Sequence, residues 1–336
     1  MRRSIPFLLL AVPMLAQRKP GSPLDHLPKN MEILTHFGER ADFSPDNQRV
    51  AFMGKSFGDA FVIDLKTRVI RCLTCSVPGA AFLRVMHLAD GNYILIGPER
   101  FSDIRTSRAR DNELWFLSKE PGSRPVKFGQ KMSEGAAISK KNLKMAWSET
   151  SAQFPELPRE YSRLVVADVV YEGGTAKLAN KKTVYESKEA GCRIEAQDFY
   201  DNDTKLTFSC YRPKGLAGVM GIDLATGQVT DFSQAPEIYN EPEGIFPDGR
   251  YTLVESSKQV ETLGGRHGSR EIDVWKLRMD GTGKDFVRVT NFNDYEGWKA
   301  SNPVVSTDGR YIAFQIARAA DEAGVGYGIV LQRLGR

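Results

Sequence analysis

Glu134, Glu195, Glu241 and Glu243 each stand at or near the start of a short run that leads into apolar residues, and Arg84, Arg193, Tyr239, Asn240, Trp298 and Lys299 hold comparable positions. Two carboxyl groups facing each other across a sugar can divide acid and base duty in glycoside cleavage, so the four glutamates are the candidate catalytic residues if the protein is an enzyme. The arginines, lysine and aromatic residues suit a polar ligand that also offers an apolar face, such as a sugar or a peptide. Glu39, Arg40, Glu296 and Asn302 belong to the same set by position. A ring of solvated, alternating charges is the plain alternative, and exposed ion pairs contribute little.

Other chemistry is poorly provided for. Gly54–Gly58, "GKSFG", spells the nucleophile-elbow pattern, but "DAFVIDL" follows it and reads as a strand where that motif needs a helix. Arg49 stands where a phosphate loop needs its first glycine. The only histidines are His26, His36, His87 and His267, too scattered to converge on a metal. No metal or cofactor is expected. A formal charge of +4, which falls to +2 without Arg2 and Arg3, is no signature of a polyanion binder, and nucleic acid is not an expected partner.

The elements that must position these residues repeat. "ADFSPDNQRVAFM", "FLRVMHLADGNYILIG", "EPEGIFPDGRYTLVE" and "NPVVSTDGRYIAFQIA" each place a tight Asp-centred turn between two apolar runs, as a β-hairpin does. Two weaker copies turn near Lys141 and Asn202, so the six turns lie near residues 46, 90, 141, 202, 248 and 308. That spacing fits a structural repeat of about 40 to 50 residues with insertions. A second pair of short strands follows each hairpin, for example "DAFVIDLKTRVIRCLT" and "GVMGIDLATGQVTDFS", which gives four strands per unit.

The predicted fold is therefore all-β, a six-bladed β-propeller of four-stranded antiparallel blades. Only "GYGIVLQRLGR" follows the sixth hairpin, and "MEILTHF", Met31–Phe37, supplies the missing outer strand that closes the ring. Tight turns fall on one face. The other receives long segments, 97–113, 148–162, 256–271 and 317–328, and long loops of this kind usually bind or cover ligands. The inner strands start at that face, so their first residues should ring the mouth of a central channel. Arg193, Glu241, Trp298 and Lys299 are expected to point inward there, with Arg108, Arg266 and His267 on loops above.

"FSPDNQRVAF", "FPDGRYTLV" and "STDGRYIAF", each followed by an Asp-containing strand pair, resemble the TolB-type, WD40-like propeller repeat over nearly the whole chain. The resemblance implies architecture more than function, because one propeller frame carries scaffolds, receptors, lyases and glycosidases. TolB has an N-terminal α/β domain before its propeller, whereas here the first repeat begins at about Ala41, and a propeller lacking that domain is expected. The same repeat forms the propeller of prolyl-oligopeptidase-type enzymes, whose hydrolase domain is not expected here. Oligogalacturonate lyase, a propeller relative, uses a histidine-rich metal site that the four histidines do not provide.

"MRRSIPFLLLAVPMLAQ" has the basic start, short apolar stretch and small residue of a secretory signal, which assigns 1–17 to a signal peptide, 18–30 to an exposed N-terminal segment and 31–336 to one domain. The expected location is the periplasm or the medium, with no membrane-integral segment once the signal is removed. Oxidising surroundings allow disulfides. Cys192 and Cys210 flank the fourth hairpin and are expected to bond across it, and Cys72 and Cys75 in "RCLTCSVPG" are expected to close a small local ring. The resulting expectation is a monomeric, non-catalytic binding or scaffold propeller for a peptide, envelope protein or glycan. The alternative is a carbohydrate-active hydrolase or lyase.

Overall fold

The computed structural model describes residues 17–187, 191–322 and 324–335. They form six four-stranded antiparallel sheets, each running outward from an inner strand. The inner strands are Glu39–Phe43, Arg84–His87, Ala136–Ile138, Arg193–Tyr200, Asn240–Ile245 and Trp298–Val305. Met31–Thr35 pairs antiparallel with Ile329–Arg333 as the outer strand of the sixth blade, with Met31 opposite Gln332 and Ile33 opposite Val330. The ring closes as its two orphan strands require. The signal-peptide residues 1–16 lie outside the described residues.

The repeated turn has one chemical cause. Asp46, Asp90, Asp248 and Asp308 each accept, through Oδ1, the backbone N–H two residues on, at 3.0 Å in every case. Aspartate at this place mimics a backbone turn, and the next residue, Gly91, Gly249 or Gly309, takes a positive φ of 67–85°. The packing between blades explains why the flanking runs are so apolar. Trp147 of the third blade is buried with Met86, Ile94 and Ile96 of the second, while Ala137 and Leu164 pack on Ile194, Leu206 and Phe208 of the fourth. A blade sandwiched in this way buries both faces, so its strands carry apolar residues on both sides.

Segment 18–30, expected to be exposed, keeps most of its residues at the surface and is tethered to the propeller by a few contacts. Arg18 bonds the Asn293 carbonyl at 3.1 Å and pairs with Glu271, Lys19 bridges Tyr295, and the Trp298 indole donates to the Gly21 carbonyl at 3.0 Å. A 3₁₀ turn, Pro23–His26, then leads Leu24 and Leu27 onto the core of the sixth blade. Both disulfides are formed, Cys72–Cys75 and Cys192–Cys210, with Cα separations of 5.8 and 4.9 Å. No described helix is long and apolar enough to cross a membrane.

Candidate functional site

Four inner strands carry an irregular register just inside the channel, between Glu39 and Asp42, Ala196 and Asp198, Pro242 and Ile245, and Ser301 and Val304. A bulge re-aims side chains that strict alternation would turn into a blade. At two of them a non-glycine residue takes the left-handed region, Arg40 at φ 54° and Asn302 at φ 45°. That conformation costs about 1 kcal/mol or more per residue. Arg40 so held donates to Glu134 at 2.9 Å, and Asn302 donates through Nδ2 to Glu243 at 3.2 Å and through its backbone N–H to Glu255 at 2.5 Å.

The long-loop mouth is a cavity of about 360 Å³ in which Arg84, Arg193, Glu134, Glu195, Tyr239, Glu241 and Lys299 all take part. Arg108 reaches in from its long loop and grips Glu134 with two guanidinium nitrogens. Glu241 accepts from both the Tyr211 and Tyr239 hydroxyls and from Gln197, and Tyr211 also reaches Glu195 at 3.1 Å. Close approach of blades three and four depends on Gly135, where any side chain would collide with the Glu195 carboxyl.

This crowding sets the charges. Burial, aided by the nearby Glu134 and Glu241 charges, pushes Glu195 up to about 8. Burial and the Glu255 charge push Glu241 up to about 7, against the hydrogen bonds from the two tyrosines. Glu243 and Glu255 are raised as well, chiefly by burial. Glu134 goes the other way: burial opposes its ionisation, but Arg108 and Arg40 hold it well below the usual carboxylate range. The mouth therefore sets an ionised, arginine-clamped glutamate beside carboxyls that keep their protons near neutral pH.

Arg84 sits at the waist. It lines this cavity and a second one of about 370 Å³ that opens among the tight turns at the opposite end. Its guanidinium makes no hydrogen bond to a described residue, and its Nε is buried without a partner. Acidic neighbours, Glu243 first among them, hold it cationic against the penalty of burial.

Several expected mouth residues lie elsewhere. Strand alternation puts Tyr239 and Glu241 in the channel and turns Asn240 the other way, where its Oδ1 accepts from Ser256 at 2.6 Å. The same alternation separates Lys299, which lines the mouth, from Trp298, which faces the docked N-terminal segment with the Arg318 guanidinium 4.1 Å from its ring. Glu243 borders the second cavity instead. His267 is bonded to Ser257 at 3.0 Å and Arg266 is exposed away from the mouth, while their neighbour Arg270 lines it. Tyr211 and Glu255 escape a search for inner-strand starts because they lie near the ends of second strands, yet counting back from the turn pairs Glu255 with Glu241 and Tyr211 with Arg193.

Two groups of three side chains among the described residues could approach one metal ion: Asp59 with Cys72 and Cys75, and Glu241 with Glu243 and Glu255. In the first, both sulfurs are consumed by the disulfide. In the second, Arg84 and Lys299 already stand among the carboxyls as counter-charges.

No protein-family model matches the chain, and no curated protein matches it in sequence. Solved structures match it in shape. A TolB from Agrobacterium tumefaciens is 17% identical with a TM-score of 0.53, over 77% of this chain and 78% of that one. A gluconolactonase from Xanthomonas campestris is 10% identical with a TM-score of 0.56, over 91% and 89%. Hydrazine synthase of Kuenenia stuttgartiensis is 16% identical with a TM-score of 0.51, over 86% and 76%. At these identities the likeness is one of fold: this chain has a TolB-like six-bladed propeller.

Proposed function

We propose that the protein is an exported binding propeller that receives a carboxylate-bearing ligand, an acidic glycan or the acidic part of a peptide or envelope protein, in the long-loop mouth. The observation that carries this reading is Arg84, a cation at the channel waist whose guanidinium has no hydrogen-bonding partner among the described residues. An arginine presents a planar fork of donors matched to a carboxylate, and leaving such a fork empty in a cavity is costly. Arg193, over the Tyr211 ring at 5.4 Å, and Lys299 would orient the remainder of the ligand. Export is supported by the leader-like residues 1–17 and the two disulfides.

The test is calorimetric titration of the intact protein with oligogalacturonate and with an acidic peptide, each against its methyl ester. The acids should bind and the esters should be weaker by more than about tenfold, with Arg84→Met removing most of the difference. Equal binding of acid and ester, or unchanged affinity in Arg84→Met, overturns the reading.

A second reading, a carbohydrate-active hydrolase or lyase, is favoured by the neutral-pH protons on Glu195 and Glu241 beside ionised Glu134. A proton-bearing carboxyl is what a general acid requires. Product release from acidic oligosaccharides in chelator-treated protein, lost in Glu195→Gln while binding persists, would establish it.

A further inference from the structure

The cavity at the short-turn end has apolar walls from Met86, Ile138, Phe199, Ile245 and Val304, and opens between the hairpin turns. Asp42 and Asp198 are counterparts within it. Each lies on an inner strand and accepts a backbone N–H from the inner strand of the next blade, Asp42 from His87 at 2.7 Å and Asp198 from Ile245 at 3.2 Å.

Their charge balance differs. Lys140 crosses the mouth to Asp42, its Nζ donating to the two carboxylate oxygens at 2.7 and 2.9 Å and to the His87 carbonyl at 3.0 Å. All three ammonium hydrogens are then used, and none is left for Asp198. Among the described residues Asp198 forms no ion pair, and its carboxyl is met by backbone N–H groups alone, that of Ile245 in the next blade and that of its own neighbour Phe199. Of the other charges of the cavity, Lys141 bonds Asn202, Asp203 accepts from Ser139 and Asn142, Asp201 pairs with Lys205, Glu243 accepts from Asn302 and Arg40 pairs with Glu134, while Arg84 lies at the far end among its acidic neighbours, Glu243 first. Burial pushes the Asp198 carboxyl up to about 7, against the Ile245 N–H and the Lys140 charge.

We propose that the short-turn mouth is a second ligand site that takes a primary ammonium on an apolar chain, the ammonium seated on Asp198 and the chain along the apolar walls. An ammonium brings the missing charge and three donors, and an alkyl body gains from burial against Met86, Ile138 and Phe199. A free alkylamine and the amino terminus of a peptide share this chemistry. The site depends on no residue of the long-loop mouth beyond Arg40 and Arg84, which line both cavities, so it stands whether or not a carboxylate binds there.

The experiment titrates the intact protein near pH 7 with hexylammonium, hexanol and hexanoate, following binding by calorimetry in two buffers of different ionisation enthalpy. Hexylammonium should bind more than about tenfold more tightly than hexanol, hexanoate more weakly than either, and a proton should leave Asp198 on binding. Asp198→Asn, which keeps an oxygen for the Ile245 N–H, should erase the preference for hexylammonium and leave hexanol unchanged. Leu-Phe-amide with a free or acetylated amino terminus separates the two sources: preference for the free form assigns the site to peptide ends, and binding of hexylammonium alone assigns it to free amines. Hexanol or hexanoate binding as tightly as hexylammonium, or an unchanged preference in Asp198→Asn, overturns the proposal. If that variant does not fold, the wild-type ranking and the proton release decide.

Discussion

The two ends of the channel enclose nearly equal space, about 360 and 370 Å³, and share Arg40 and Arg84 at the waist, yet their chemistry diverges. The long-loop end gathers arginines, tyrosines and glutamates whose protonation depends on one another. The short-turn end is walled by apolar side chains and carries Asp42, ion-paired with Lys140, and Asp198, which has no ion pair among the described residues. Position along the inner strand accounts for this: the first residues face the loops that bring Arg108 and Arg270 inward, while the last lie among tight turns, from which Lys140 reaches across to Asp42. A propeller thus offers two sites of different character on one set of strands.

The largest expected effect separates the ends by pH. Glu195 and Asp198 have folded-state values raised to about 8 and about 7, so the folded protein keeps protons that the unfolded chain gives up in the ordinary carboxylate range. Their protonated forms are fully compatible with folding below that range, and stability declines as pH rises from there through the raised values. Urea unfolding should show a fall on the order of 5 kcal/mol between pH 5 and pH 8.5. Glu195→Gln should flatten the decline more than Asp198→Asn does, because the Glu134 and Glu241 charges add to burial and raise Glu195 further. A stability that rises over this interval would remove the charge picture of the long-loop end.

Next in size is Glu134→Ala, which leaves Arg108 and the buried Arg40 without their shared partner. Breaking a buried pair from one side costs about 3–5 kcal/mol, to be read from urea midpoints at constant slope. A loss under about 1 kcal/mol would mean that the clamp is solvated and the long-loop end is no more than a charged rim.

The smallest effect compares the counterpart aspartates. Asp42→Asn strips Lys140 of its charge partner and should cost about 2 kcal/mol, whereas Asp198→Asn near pH 7 should instead raise stability by about 2 kcal/mol, because an amide does not have to hold a proton that the unfolded chain gives up. Equal costs would show that the two aspartates serve only as links between blades.

Much of the frame was readable one residue at a time. Asp46, Asp90, Asp248 and Asp308 declare their turns because an Asx hydrogen bond spans only two residues, and Met31–Thr35 declares itself as a spare strand. Arg84, Arg193, Glu195, Tyr239, Glu241 and Lys299 were legible as mouth residues because each opens or adjoins an inner strand. Trp298 was misplaced although alternation alone turns it away from Lys299, and what the chain order hides is its partner, a docked N-terminal segment nearly 280 positions away. Arg270 in place of Arg266 reflects the path of a loop, which no periodicity fixes.

What the sequence determined by itself is the repeat, its hairpins and the closing strand, since turn chemistry and the alternation of apolar residues act over a few positions. Tertiary structure alone decided which carboxyls hold protons and which cations stand unpaired. Glu134 is ionised because Arg40 and Arg108 arrive from two other blades, and Asp198 lacks a counter-ion because Lys140 spends its three hydrogens on Asp42 and His87. Coulomb energy and desolvation depend on distance and burial in space, and the bulges at Arg40 and Asn302 hold those residues against Glu134, Glu243 and Glu255.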